Sequence, residues 1–473
     1  MAARFLANRL ASMGWLPAGD ATPEGRSFFQ TVPAIAATYD PGASWIETRK
    51  NDGKLGVRVA GSSGTGGFRF VPDRGDTVVV ESKLVFAGFG IRAPEHAHDD
   101  YAKLDVGGKT VLVFSSEPRE QDETSPWNGA RATRHALAST KQRLAESLGA
   151  RALLIVPNPA GKAKSAADLA RDEEASWLGL AATSPSIPVV YVDAETAKLL
   201  LQGSRFDLEK VSKQLEAGKP VAKELRDRVF GLHIAMKDRK DVRLTNVVAR
   251  LGVENAASAI LLGAHWDGLG EKGGAGYQGA DDNASGVAAA MAAAKALKAS
   301  PPRSADVYLA LWTGEERGLL GSRHFVAHPP ALPLRAAVNL DMLGRNNLDR
   351  PDYANVLQLI YSARAPILRE IATSANHETG WDLRFYGALR FQPISDHASL
   401  AEAGIPVVYP FSGYEPDYHT SADTRDKVLL ERIDRSARYV EALVRLLAEK
   451  ADSIRLDPSI EGAPPADAFE RGY

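Results

Sequence analysis

The 473-residue chain has no cysteine. That excludes a disulfide scaffold, a cysteine-bound zinc finger, an iron–sulfur site and a thiol nucleophile. It does not single out a compartment. A surplus of either charge is also missing: 57 basic residues face 59 acidic ones, a formal net charge of −2. Nucleic acid is therefore not the expected partner, because its phosphates call for a basic surface. Long apolar runs are absent, and none approaches the roughly 18 residues of a membrane span. The most aliphatic stretch, 287–297, is alanine-rich, ends at Lys298 and reads as a buried helix. Arg4 and Arg9 enclose only four residues, whereas a secretory core needs about 7–15 apolar ones. Repeats and long low-complexity tracts are missing too. The Gly/Ser run 61–67 reads as a turn, since no Lys-Ser or Lys-Thr follows to make a phosphate cradle.

What remains is the composition of a folded protein, 44% hydrophobic and 25% charged. The length predicts about three folded units. Residues 1–13 pattern as an amphipathic helix with Phe5, Leu6, Leu10 and Met13 on one face and Gly14 as its stop. Residues 77–192 hold short β-prone runs at 78–80, 84–86, 110–114, 152–156 and 189–192, with one helix over 134–148. Lys219-Pro220 marks a boundary, and 230–236 alternates as a half-buried strand does. Strands are then expected at 246–251, 259–264, 307–312, 336–341, 356–361 and 405–409, with helices at 284–298, 319–327, 365–375 and 428–449. Short apolar strands between helices predict an α/β fold: three layers, α/β/α, around a mostly parallel sheet. The expected division is 1–76 as the N-terminal part of this domain, 77–220 as an insertion, 221–452 as the domain's main part, and 453–473 as a loose tail.

Acidic residues and histidines gather at the strand ends, where such sheets bind ligands. The 259–264 strand runs into His265-Trp266-Asp267. A Gly-rich loop leads to Gly279-Ala280-Asp281-Asp282-Asn283 at the start of the Ala-rich helix. The 307–312 strand runs into Thr313-Gly314-Glu315-Glu316, the next strand ends at Asp341, and the last is followed by Tyr418-His419-Thr420. Without cysteine, imidazole and carboxylate are the donors left for Zn²⁺ or a similar ion. Two neutral histidines with Asp282, Glu316 and Asp341 carry three negative charges. Two divalent ions and a hydroxide would neutralise them, whereas one ion would leave an excess. Asp267, two residues after His265, can orient its other ring nitrogen. Adjacent acids at the end of a buried strand are costly without a cation, and Asp281-Asp282 exceeds what a helix cap requires.

Other clusters carry less. His324 and His328 stand four apart, but Phe325 occupies the glutamate position of a protease zinc helix. His96-Ala97-His98-Asp99-Asp100 reads as a polar loop. Ser395-Asp396-His397 cannot form a catalytic triad from sequence neighbours, though Asp396 suits a supporting role behind the donors.

In this order, across 228–449, the motifs resemble the M28 family of zinc aminopeptidases. The resemblance implies that His265 and Asp341 hold one zinc, Glu316 and His419 the other, and that Asp282 bridges both, with cobalt or manganese as substitutes. It implies Glu315 as general base and Tyr418 as a group polarising the carbonyl. The substrates implied are peptides with a free N-terminus, cut to release the N-terminal residue. The insertion resembles a protease-associated domain through Asp100-Tyr101-Ala102-Lys103-Leu104-Asp105-Val106-Gly107-Gly108-Lys109. Family members carry a further stretch before the helix that begins here at Ala2, and the family suggests a periplasmic or secreted place. The residues themselves leave open a glutaminyl cyclase with one zinc, a carboxypeptidase, and an inactive peptide-binding relative. They do not indicate side-chain preference or oligomeric state.

Overall fold

Apolar runs of five to seven residues between helices become strands buried on both faces. The computed structural model describes residues 1–460 apart from 51, 62–66, 71–74, 123, 126, 128–132, 163–175, 182–185, 205, 273, 390 and 392–393. Most of the 61–67 turn and the tail from 461 onward lie outside the described residues. The chain divides into two units, one of residues 1–33 with 243–473 and one of residues 34–242.

The larger unit contains α1 (Ala2–Ser12), β1 (Met236–Leu251, from residue 243 on), β2 (Ala259–His265), α2 (Gly286–Ala299), β3 (Asp306–Trp312), α3 (Leu320–Ala327) and β4 (Leu334–Leu340). It continues with β5 (Val356–Ser362), α4 (Ile367–Ala375), β6 (Asp382–Ala388), α5 (His397–Glu402), β7 (Val407–Phe411) and α6 (Leu430–Glu449). The sheet order is β1-β3-β2-β4-β7-β5-β6. Four of the six pairings in this order are parallel; β1–β3 and β7–β5 are antiparallel, and Leu16–Pro17 adds a short antiparallel pairing to β1. The expected mixed α/β sheet, mostly parallel, is present.

Period-two alternation sorts the strand residues between two cores. Ile260, Leu262 and Ala264 join Leu6 and Leu10 of α1, Ala289, Ala293 and Leu297 of α2, Leu368 of α4 and Leu443 of α6. Leu261 and Trp312 join Phe325 of α3 and Leu400 of α5 on the other face. The alanines of α2 let that helix approach closely, and Trp15 Nε1 donates to Ala294 O at 3.1 Å. In α1 the buried stripe runs through Leu6, Ala7 and Leu10. Phe5, expected on that face, is 61% exposed, because the stripe follows the 3–4 residue spacing of a helix and skips it. Strand β6 and helix α5 were not expected. The start of the tail is packed rather than loose: Ile454 is buried and Asp457 N donates to Arg364 O. No described helix is long and apolar enough to cross a membrane.

The smaller unit is wider than the 77–220 insertion expected. Its sheet runs Leu55–Ala60, Trp45–Lys50, Ala222–Ile234, Val78–Ala87, Thr110–Phe114, Ala152–Val156, Val189–Val192, Phe68–Phe70. Residues 45–50 pair with 228–233, and 78–87 pairs with 222–234. Composition marks a change at 76 and 220, whereas strand pairing decides the unit's true membership. The runs 78–80 and 84–86 form one strand, and the expected 134–148 helix is Ala138–Ser147 behind a short turn. Lys141 is fully buried there. Burial pushes its ammonium down to about 7, and it donates to the carbonyls of Phe89 (2.6 Å), Phe114 (3.1 Å) and Ser116.

One side chain ties three elements of the larger unit. Asn246, fully buried in β1, donates through Nδ2 to Gln30 Oε1 and Gly321 O, both at 2.9 Å, and accepts from Thr313 N at 3.1 Å. Asn246→Ala should strand these groups, each costing about 1–3 kcal/mol. Chemical unfolding followed by circular dichroism should show a lower midpoint for this unit.

Candidate metal centre

Strand ends bring the donors to one rim. His265 is the last residue of β2, Glu315 and Glu316 follow β3 by three and four residues, Asp341 follows β4, and the loop after β7 carries Tyr418 and His419. Asp282 sits in the turn Ala280–Ser285 before α2, and its peptide bond to Asn283 is cis. Gly279 opens that turn at φ +59°, where a Cβ would collide with the Asp282 carbonyl.

His265 Nε2 lies 3.1 Å from Asp282 Oδ1 and 3.4 Å from Asp341 Oδ1. His419 Nε2 lies 3.2 Å from both Asp282 Oδ2 and Glu316 Oε2. Two donor groups therefore form, His265/Asp282/Asp341 and Asp282/Glu316/His419, with the ligand atoms of each within 4.8 Å of one another. Among the described residues no other such group exists. Glu315 Oε2 stands 4.0 Å from His265 Nε2.

These side chains fit a metal by their unmet valences. His265 Nε2, Asp341 Oδ1 and Glu316 Oε1 are buried without a hydrogen bond, a costly condition unless a cation receives them. The electrostatics agree. Burial alone would lower His265, yet Asp341, Glu315, Asp267 and Asp282 hold its imidazole well above the usual range. Burial likewise opposes the charge on His419, but Asp282 and Glu316 raise it to about 9. Burial raises Glu315, Glu316 and Asp341, reinforced by neighbouring carboxylates. The pocket has more negative charge than its imidazoles balance.

Asp267 lies at the site beside His265 Nδ1 and has a second task. Its carboxylate accepts from Glu315 N (3.1 Å) and Glu316 N (3.4 Å), so it aims the two glutamates. His265 Nδ1 approaches the Asp267 carbonyl at 3.3 Å, with the carboxylate at 3.7 Å. Asp396 is fully buried with both oxygens unpartnered, and burial pushes it up to about 7. Its charge acts on Glu315 and His265. The Tyr418 ring stacks on His419 at 3.8 Å. His324 and His328 stack on each other at the end of α3. His98 pairs with Asp100 (3.0 Å), and His135 with Glu95 (2.9 Å), in the smaller unit.

Asp423 carried no sequence signal, and Asp281, Asn283 and Ser285 lay within the motif without an assigned task. Asp423 accepts from Asp281 N at 2.8 Å and Asp282 N at 3.1 Å. Asn283 Oδ1, Ser285 Oγ and Asp281 Oδ1 accept from the amides of Met342 (3.2 Å), Leu343 (2.9 Å) and Gly344 (2.7 Å). These bonds fasten the turn carrying Asp282 to the turn following Asp341. The first of the adjacent acids, Asp281, is thus a fastening, and burial pushes it up to about 7.

Imidazoles and carboxylates at the carboxyl ends of a mostly parallel, helix-covered sheet make a candidate metal centre. Residues 246–444 match the model of peptidase family M28. The chain is 30% identical over 220 residues to the probable lipoprotein aminopeptidase LpqL of Mycobacterium tuberculosis, covering 41% of this chain and 42% of that protein. It is 29% identical over 202 residues to aminopeptidase YwaD of Bacillus subtilis, covering 41% and 43%. The chain thus spans less than half the length of these relatives. The solved structure of an aminopeptidase from Aneurinibacillus sp. strain AM-1 has the same fold, with a TM-score of 0.53 at 20% identity over 98% of this chain and 90% of that one.

Asp423→Ala should leave two buried amides without an acceptor, at about 1–3 kcal/mol each. Thermal unfolding of metal-stripped protein should show the loss, with Asp423→Asn, which keeps one acceptor oxygen, falling between.

Proposed function

We propose that the protein is a zinc aminopeptidase that removes N-terminal residues from peptides with a dinuclear centre. The observation that carries this reading is Asp282, whose two oxygens face different histidines, His265 at 3.1 Å and His419 at 3.2 Å. A carboxylate turned to two donor groups at once suits a bridge between two ions. A cyclase working with one ion would leave one group without a task. His265 and Asp341 would hold one ion, Glu316 and His419 the other.

Zinc bound there would supply Lewis-acid polarisation and lower the pKa of water to about 7. Glu315 accepts a proton from the attacking water on its carboxylate. Its place beside the donors rather than within either group leaves it free to do so. The water oxygen bonds to the peptide carbonyl carbon, and the carbon–nitrogen bond then breaks. Glu315 returns the proton to the leaving amine nitrogen, so one group serves as base and then acid. Burial first, then the Asp282 charge, keeps the Tyr418 hydroxyl protonated, so it can donate to the carbonyl oxygen. The carboxylate surplus at the rim favours a substrate's free α-ammonium group, which selects the N-terminal residue.

The test uses a panel of aminoacyl-p-nitroanilides with metal-analysed protein. Turnover should vanish with chelator and return with zinc. Glu315→Gln should lower kcat about 10²–10⁴-fold, the range of general-base catalysis, with metal content unchanged. Full activity in Glu315→Gln would remove that residue from the role. Absence of turnover on every N-terminal residue, with zinc bound, would refute the aminopeptidase.

A further inference from the structure

We infer that Arg345 is a positioning residue for His419, acting through Glu415 and Asp417. The inference rests on the two-ion reading above. Arg345 is buried, 3% exposed, four residues after Asp341. Its Nη1 lies 3.0 Å from Glu415 Oε2 and 2.8 Å from Asp417 Oδ2. Its Nε donates to Asp349 Oδ1 at 3.1 Å, and Nη2 pairs with the other oxygen of Asp349. Lys427 Nζ grips Asp417 Oδ2 at 2.7 Å, and Asp417 N donates to the Glu415 carboxylate. Tyr418 and His419 follow directly.

His419 needs such a hold. It stands at φ +58°, a left-handed conformation that is unfavourable for an L-residue. Its side chain is 42% exposed, so packing restrains it little. The Tyr418 ring stacked on it packs against Met342, Tyr409 and Phe411 and holds it from one side. The ionic fork is a second, charged hold on the same loop. Arg345 lies just beyond Met342–Gly344, whose amides are received by Asn283, Ser285 and Asp281. It therefore couples the turns bearing Asp341 and Asp282 to the loop bearing His419. A guanidinium does this where a point charge does not, since its planar fork serves three carboxylates at once. Releasing it lets the loop relax and moves His419 away from Glu316 and Asp282. The His265/Asp282/Asp341 group takes no donor from that loop, and its tie to it is the hold of Asp423 on the amides of Asp281 and Asp282.

The experiment measures zinc affinity at both positions of the full chain by chelator competition, with bound zinc counted by metal analysis. Wild type should hold two ions. Arg345→Met should weaken one of them about 10–100-fold, the usual effect of losing a supporting partner, and the other distinctly less. Arg345→Lys should recover part of the loss. Should Arg345→Met fail to fold, Asp417→Asn, at a partly exposed position, should weaken the same ion in the same direction. Two ions held at wild-type affinity in these variants, or both ions weakened equally, would overturn the positioning role while leaving the two-ion reading intact. A single ion in wild type would overturn the two-ion reading and this inference with it.

Discussion

One carboxylate, Asp282, is buried between two imidazoles, and the larger unit is built around the charge imbalance it creates. Each of its oxygens faces a histidine, and Asp341, Glu315 and Glu316 crowd the same space. Desolvation makes such a cluster unfavourable unless cations enter it. Folding can supply the positions but not the compensating charge. The unpartnered atoms of His265, Glu316 and Asp341 are the trace of that requirement.

The sheet supplies coarse placement, because parallel strands end on one side and their following loops share one rim. Fine placement comes from polar side chains holding backbone amides. Asp281, Asn283 and Ser285 grip three successive amides after Asp341, while Asp423 grips the amides of Asp281 and Asp282. Each polar neighbour of Asp282 in this turn thus has a bonding task of its own. A backbone fixed by several buried bonds leaves the donor carboxylate few orientations, which pre-organises the centre before an ion arrives. Arg345 extends the same logic to the most exposed donor, His419.

The smaller unit has its own core, from Phe68 and Phe86 to Leu232, and its own buried cation in Lys141. Its central strands were readable as apolar runs, since burial on both faces leaves an unbroken hydrophobic signature. Its edges were not. Residues 45–60 vary between apolar and charged, as an outer strand pair does, and only their pairing with 228–233 assigns them. Helix α5 escaped notice for a related reason: six residues are too few to show a helical period.

Composition and apolar pattern were enough to read the donor chemistry and the ends of the strands. Lacking cysteine, the chain could offer only imidazole and carboxylate, and each apolar run announces where its strand stops. His265, Glu315, Glu316, Asp341 and His419 were therefore visible as a set. Tertiary structure alone decided which neighbour does what: that Asp281 fastens while Asp282 faces the histidines, that Asp267 aims the glutamates, and that Asp423 and Arg345 belong to the site. These assignments depend on contacts between residues 17 to 142 positions apart. Local pattern encodes the direction and burial of a segment, but a hydrogen bond across the fold exists only once distant segments have met.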